Sequence, residues 1–175
     1  MLLLSGILAW HALRPKGLAR ALLDASIRQH ARVFYAEDSS PWNILVNGDG
    51  RVLVQKDGTA TTDGLWPTCT STVPQTEIEQ LLRLMVTKNF ELLPRKGFPM
   101  YVGPVEAFPR KLHIIAVDAG PTRGTWVFET GQMNGRVESI PPDFGAVEAD
   151  LRELRQKAIP VDGSSCPLAP GFQGF

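Results

Sequence analysis

The sequence predicts an α+β fold in which two hairpins form an antiparallel sheet of about four strands and two long helices cover one of its faces. An N-terminal helical segment precedes this unit. Three patterns lead to this prediction. Apolar residues recur at helical spacing between Thr76 and Pro94, they alternate with period two over 42–47 and 51–56, and a second helical pattern covers 143–158.

Length and composition are those of one folded domain. The chain has 175 residues, and a hydrophobic content of 43% beside a charged content of 21% favours a packed protein over a disordered one. The formal net charge is +0, so the basic surface that nucleic-acid binding requires is not expected. We divide the chain into an apolar anchor with an amphipathic helix (1–33), a single α+β domain (34–159) and a tail rich in Gly and Pro (160–175).

Residues 2–13 form an uncharged apolar run. The run is shorter than the roughly 20 residues that span a bilayer, and it is similar to the hydrophobic region of a signal peptide without the basic residues that normally precede one. We interpret it as a membrane or interface anchor with Trp10 at the headgroups, the alternative being a helix packed on the chain's own core. Arg14, Lys16 and Arg20 follow the run, and the positive-inside rule would then hold the domain in the cytoplasm.

The stretch from Gly17 to Val33 has the pattern of an amphipathic helix, with an apolar side that includes Leu18 and Leu22. Its polar side is basic. That side suits either an anionic membrane surface or, in the interpretation we favour, contact with water. His30 has no partner nearby in the sequence and is interpreted as a surface residue.

The first hairpin is predicted from the two alternating segments, because the residues 47–50 between them (Asn-Gly-Asp-Gly) readily adopt the positive φ of tight turns. The stretch 57–72 that follows is rich in Gly, Thr and Asp and is predicted to be a loop. Its aspartates lack the ladder of alternating ligands that calcium loops have, so no metal site is predicted there.

The central helix is predicted to begin at Thr76 and to end near Asn89, with Thr76 and Glu79 forming a capping box. Phe90, Leu92 and Leu93 should then fold back beneath the helix.

A long loop rich in Gly and Pro follows at 95–110 and contains Phe98, Tyr101 and Phe108. Loops of this length are often functional. Two interpretations stay open, because the aromatic rings could tuck into the domain's own core or form a contact patch for a partner.

The second hairpin is predicted from 112–118 and 125–130, where His113 is interpreted as a strand residue with satisfied hydrogen bonds. The last helix starts after two prolines and covers 143–158. The tail is predicted to have no structure of its own, with Phe172 and Phe175 inserted into sockets on this domain or on a partner.

No common catalytic, cofactor or metal motif occurs in the sequence. Cys69 and Cys166 could form a disulfide in an oxidising compartment or stay as two free thiols. A nucleophilic Cys69 activated by His113 is disfavoured, because no activating neighbour flanks the thiol. Glu148 falls at helical spacing among basic residues, a pattern typical of a solvated helix face.

The order of these elements resembles a group of uncharacterised bacterial domains that are often exported. The resemblance covers roughly residues 40–158 and rests on a DG-x-V turn (49–52) and on a helix that ends in F-x-x-L-P (90–94). It implies an exported α+β domain, in conflict with the positive-inside interpretation, and we favour export because the apolar run is short and atypical. The lipobox cysteine that anchors some members of the group is missing here.

These patterns predict a non-enzymatic accessory subunit that docks on a larger bacterial membrane complex, with energy-converting assemblies as one class. The partner-binding residues are predicted to be the aromatic side chains of the N-terminus, the loop and the tail, namely Trp10, Phe98, Tyr101, Phe108, Phe172 and Phe175. No cofactor, metal, nucleic acid or small-molecule substrate is predicted. The protein is expected at the membrane, on the periplasmic side. The alternative is a stand-alone exported domain that binds a ligand or another protein.

Overall fold

The computed structural model describes residues 17–56, 60–95, 111–133, 136–160 and 166–172, and it describes side chains at all of these except 132–133 and 136–138. The apolar run 2–13 and the anchor role predicted for it lie outside these residues. Within the described ranges, no helix is both long enough and apolar enough to cross a membrane.

Eight strands and four α-helices lie in this part of the chain. The strands are β1 (Arg32–Glu37), β2 (Trp42–Asn47), β3 (Arg51–Lys56), β4 (Leu65–Thr72), β5 (Lys111–Ala119), β6 (Thr122–Met133), β7 (Arg136–Glu138) and β8 (Leu168–Pro170). The α-helices are α1 (Gly17–Leu23), α2 (Ala25–Gln29), α3 (Gln75–Thr87) and α4 (Pro142–Ala158), and a 3-10 turn at Phe90–Leu92 follows α3.

The strands form one antiparallel sheet in the order β7-β6-β5-β1-β2-β3-β4-β8. The prediction of about four strands with two long helices was therefore wrong for the described chain. Both predicted hairpins are present, as β2–β3 and β5–β6. β1 joins them into one sheet because it pairs with β2 on one side and with β5 on the other.

Four strands were not predicted, β1, β4, β7 and β8, and the first two were missed for different reasons. The helical pattern of the N-terminal region continues to Val33, which hides the first residues of β1. β4 lies in a stretch predicted to be a loop from its Gly and Asp content, yet its second half is rich in Thr, a β-branched residue that suits strands.

The single helix predicted for residues 17–33 is divided into α1 and α2 at Asp24. The Asp24 carboxylate accepts a hydrogen bond from the backbone N–H of Ser26 at 3.0 Å and one from that of Ile27 at 3.4 Å, which caps the start of α2. Leu18 and Ala21 of α1 are fully buried and belong to the same core as the sheet.

The central helix α3 begins one residue earlier than predicted and has no capping box. Its N-cap residue is Pro74, which makes no side-chain capping bond. Glu79 instead pairs with Arg28 of α2 at 2.9 Å, so the carboxylate connects two helices. Phe90 is fully buried and Leu93 packs against the core, as predicted, but the prediction was wrong for Leu92, which is 81% exposed.

The core lies between the helices and one face of the sheet. Residues that alternate along the central strands point to this face and pack on the helices, namely Val33, Tyr35, Ile44, Val46, Val52, Val54, Ile115, Val117, Trp126 and Phe128. Four aromatic rings pack against one another in this core. The ring centroid of Phe90 lies 4.7 Å from that of Trp126, and the centroid of Phe144 lies 4.7 Å from that of Phe128.

The C-terminal tail has more structure than predicted. β8 pairs with the first residues of β4 at the edge of the sheet, and Cys166 forms a disulfide with Cys69 across a Cα–Cα distance of 4.8 Å. Of the two outcomes left open for the cysteines, the structure therefore shows the disulfide.

We expect Phe144→Ala to destabilise the protein by about 3–5 kcal/mol, because it leaves a cavity beside the rings of Phe90 and Phe128. Leu92→Ala is the matched control, since Leu92 is 81% exposed and its removal should change the free energy of unfolding by less than about 0.5 kcal/mol. Urea unfolding of the two variants measures both values. Equal effects would contradict this assignment of the core.

Candidate functional site: a buried charge cluster

Polar and charged side chains meet beneath α4, at the end of the core opposite to α1. We call this group the charge cluster, and its members are Tyr35, Glu37, His113, Glu148, Arg152 and Arg155. Glu37, His113, Glu148 and Arg155 are each less than 10% exposed, and Tyr35 is fully buried. Ionisable side chains are rarely buried to this extent without partners.

Strand register and helical spacing bring the cluster together. Glu37 of β1 lies directly opposite His113 of β5, on the face of the sheet that meets the helices. Glu148, Arg152 and Arg155 are spaced by four and three residues along α4, so they share the side of the helix that faces the sheet.

Glu148 is the centre of one half of the cluster. Its Oε1 atom accepts a hydrogen bond from the Tyr35 hydroxyl at 2.7 Å and one from Arg152 Nη2 at 2.9 Å, and it lies 2.5 Å from His113 Nδ1. The other ring nitrogen of His113 lies 3.1 Å from the Thr130 hydroxyl. Both ring nitrogens of His113 therefore have partners.

Glu37 is the centre of the other half. Its Oε2 atom accepts hydrogen bonds from Arg152 Nη2 at 2.5 Å and from the Ser39 hydroxyl at 2.7 Å, while its Oε1 accepts one from Arg155 Nη2 at 2.6 Å. Arg155 also donates to the backbone carbonyl of Trp42 at 3.0 Å. These bonds join α4 to β1 and β2.

The electrostatic environment holds both carboxylates in the charged form. Burial alone would raise the pKa of Glu37, but the hydrogen bonds from Arg155, Ser39 and Arg152 outweigh it and lower that pKa to about 2. Burial opposes ionisation of Glu148 in the same way, and the bonds from His113 and Tyr35 bring its pKa below the usual range. Burial, together with the Glu148 acceptor, raises the pKa of Tyr35, so its hydroxyl stays protonated and donates.

Glu37, His113 and Glu148 could each offer one ligand atom to a metal, and these atoms lie within 4.8 Å of one another. However, Nη2 of Arg152 bonds to both carboxylates, where a cation between them would sit. The two carboxylates and the two guanidinium groups already cancel in charge. A divalent ion would have to displace Arg152, so the donor set favours an internal ion-pair network over a metal centre.

The sequence did not reveal this cluster. Glu148 was predicted to lie on a solvated helix face, and this was wrong because its side chain is only 2% exposed. The available signal was its position on α4, since residue 148 falls on the same stripe as the buried Phe144 and Leu151. Glu37 continues the alternation of Val33 and Tyr35, but it could not be assigned while β1 was missing from the prediction.

Most of the predicted partner-binding residues lie outside the described part of the chain, namely Trp10, Phe98, Tyr101, Phe108 and Phe175. Phe172 is described, and its ring meets that of Phe34 edge-on with centroids 6.1 Å apart. The sulfur of Cys69 is bonded to Cys166, so this residue has no thiol that His113 could activate.

One surface cavity of about 500 Å³ lies beside the connection between β1 and β2, and Glu37 of the charge cluster is among its lining residues. Its other lining residues are the polar Asp38, Ser39, Ser40 and Asn43 and the apolar Ala36, Pro41 and Ile114. A cavity of this size can hold a small ligand, although binding sites are usually lined mainly by apolar side chains.

Comparisons with protein-family models, with curated proteins and with solved structures found no match. The resemblance to exported bacterial domains therefore stays a prediction.

We expect the protein to lose stability in acid as Glu37 becomes protonated. The pKa of Glu37 is about 2 in the folded protein and 4.5 for the free side chain, so its contribution is complete above about pH 4.5 and is lost as the pH falls towards 2. Urea unfolding from pH 7 to pH 3 measures this. The stability difference between the wild type and Glu37→Gln should shrink over that interval, and a constant difference would contradict the assignment.

We expect Tyr35→Phe to destabilise the protein by about 1–3 kcal/mol, because it removes a buried donor to Glu148 without changing the packed volume. Ser39→Ala removes a hydroxyl that donates to Glu37 from an exposed position, and its effect should stay below about 0.5 kcal/mol. Thermal or urea unfolding at neutral pH compares the two variants. If the Ser39 variant lost as much stability as the Tyr35 variant, burial would not be the deciding factor.

Proposed function

We propose that this chain is a non-enzymatic accessory subunit that docks on a larger bacterial membrane complex from the oxidising side of the membrane. Energy-converting assemblies are one class of such complexes. The observation that carries the proposal is the Cys69–Cys166 disulfide.

The disulfide is evidence about the cellular compartment of the protein. Disulfides persist in secreted and periplasmic proteins, whereas the reducing cytosol keeps most thiols free. The bond therefore supports export over the cytoplasmic orientation that the charges after the apolar run indicate. The run itself, at residues 2–13, supports a location at the membrane.

The chemistry of the charge cluster supports a non-enzymatic role. Catalytic groups need access to a substrate, and their hydrogen bonds are usually completed only when it binds. In the charge cluster, Glu37 already accepts hydrogen bonds from Arg152 and Arg155, and His113 already pairs with Glu148. Glu37, His113 and Glu148 are buried under α4. This arrangement suits a network that fixes the position of the helix.

The described part of the tail does not support docking on a partner. The described residues 166–172 are held by the disulfide, by β8 and by Phe34, all of which belong to this chain. The proposal therefore rests on the disulfide and the apolar run, and the aromatic residues of the predicted loop at 95–110 are its candidate contact residues.

A stand-alone exported binding domain is the second candidate. The cavity of about 500 Å³ beside the β1–β2 connection favours it, because its serine, asparagine and aspartate side chains could bind a small polar ligand.

We expect the protein to migrate with a large complex when source membranes are solubilised gently and separated on a native gel. Mass spectrometry of the band would identify this chain together with its neighbours. Migration alone near 19.2 kDa, or recovery only in the soluble fraction, would contradict the accessory role and favour the binding domain.

Two truncated chains, used in the same experiment, test which terminus contacts the complex. A chain that starts at Gly17 should leave the complex and yet unfold at the same urea concentration as the full chain, because the described core begins at Leu18. A chain that ends at Phe172 keeps the disulfide and β8, and it tests the predicted role of Phe175 separately. If both truncated chains stayed bound, neither terminus would be the contact.

A further inference from the structure

In the part of the chain that the structure describes, three leucines are the large apolar side chains most exposed to water. Leu23, at the end of α1, is 71% exposed, Leu92, in the 3-10 turn after α3, is 81% exposed, and Leu168, on β8, is 52% exposed. A single exposed leucine is common on protein surfaces and needs no explanation. Leu23 and Leu92 differ from that case, because both lie near the point at which residues 1–16 join the domain.

Glu91 brings the 3-10 turn against the first residues of α1. Its carboxylate accepts a hydrogen bond from the backbone N–H of Leu18 at 3.0 Å and another from the hydroxyl of Thr122 at the start of β6. Gly17 passes so close to this carboxylate that a Cβ atom there would overlap it, and its φ of 59° also favours glycine. Leu92 follows Glu91 directly, so it lies beside the start of α1.

The second leucine lies at the other end of α1. From Gly17 to Leu23 the helix rises by only about 9 Å. Leu18 and Ala21 are buried on one side of α1, whereas Arg20 and Leu23 are both exposed and lie three residues apart on the other side. The exposed side of α1 therefore combines an arginine with a leucine, which differs from the polar side that contact with water alone would favour.

The sequence that leads into α1 is first apolar and then basic. Arg14, Lys16 and Arg20 follow the apolar run within a few residues. Two acidic residues, Asp24 and Glu91, lie at the ends of α1, and their carboxylates accept hydrogen bonds from backbone N–H groups of the domain. Three basic residues and two acidic ones give this end of the domain a small excess of positive charge, which suits anionic lipid headgroups.

We propose that Leu23, Leu92 and Arg20 form a membrane contact, which we call the leucine patch. The two leucines enter the interfacial region of a bilayer that contains anionic lipid, and Arg20 binds the phosphate groups. The inference rests on the proposed location at the membrane, because the apolar run brings the domain to the bilayer. It adds an orientation to that location, in which α1 and the 3-10 turn lie against the bilayer and the sheet lies behind them.

The size of the leucine patch favours a lipid surface over a protein partner. Stable protein interfaces bury about 800 Å² on each partner, which takes roughly 20–30 residues. The leucine patch has two apolar side chains at the two ends of a short helix. A bilayer can accept such side chains one by one, because the gain follows the buried apolar area and the attraction between opposite charges and needs no complementary shape.

Hydroxyl-radical footprinting of the full wild-type chain tests the orientation. The radical oxidises leucines that water reaches, and mass spectrometry measures the oxidation of each one. The free chain is compared with the chain bound to vesicles of phosphatidylcholine and phosphatidylglycerol in equal parts. Leu168 is the internal reference, because four strands lie between β8 and β5, on which α1 packs.

We expect the oxidation of Leu23 and Leu92, relative to that of Leu168, to fall at least about fivefold on the vesicles, because both side chains leave the water. The same fall at all three leucines, or at none of them, would overturn the proposal.

Substitutions in the full chain measure how much the leucine patch contributes to binding. The double variant Leu23→Ser with Leu92→Ser should need about ten times more lipid for half of the protein to sediment with the same vesicles. The matched control Leu168→Ser also replaces an exposed leucine and should need less than about twice as much lipid. Because all three side chains are exposed, urea unfolding should show equal stability and thereby exclude a folding defect.

The outcomes separate this proposal from the accessory role. If the double variant and the control bound vesicles as tightly as the wild type, the proposal would be overturned, while migration with a large complex on the native gel would still support the accessory role. If the double variant left that complex but kept its vesicle binding, the leucine patch would contact a protein subunit, and the lipid contact would be wrong. Failure of the full chain to bind vesicles would also overturn it.

Discussion

The neutralisation of two buried carboxylates constrains much of this structure. Glu37 and Glu148 are both almost fully removed from water, and each depends on a guanidinium group of α4. A rotation of α4 that moved Arg152 and Arg155 away would leave Glu37 charged and unpaired, a penalty of several kcal/mol. The register between β1 and β5 is constrained in the same way, because a shift by one residue would turn Glu37 or His113 to the other face of the sheet.

The apolar core and the charge cluster make different contributions. The rings of Phe90, Trp126, Phe128 and Phe144 provide the favourable burial that folding requires. Buried ion pairs usually contribute little net stability, but they penalise every arrangement that separates them. The aromatic rings therefore support the stability of the fold, and the charge cluster selects one position for α4 above the sheet.

The parts of the fold that could be predicted are those with strong local signals. The β2–β3 hairpin has period-two alternation around an Asn-Gly turn, and α3 and α4 have apolar stripes of several turns. β1 and β4 lack such signals, because β1 follows a helical pattern directly and β4 depends on its neighbours for pairing. The charge cluster was not predicted because it requires knowing that β1 lies beside β5, a contact between residues far apart in the sequence.

The disulfide has a topological consequence. Cys69 and Cys166 are separated by 97 positions, so the bond closes a covalent ring that contains α3, β5, β6 and α4. A single peptide-bond cleavage within that ring, for example between α3 and β5, leaves both fragments in one covalent molecule. β1, which precedes the ring, is hydrogen-bonded along its length to β5 inside it. The ring and the sheet together give the chain two independent connections between its halves, so a cut there leaves the halves joined.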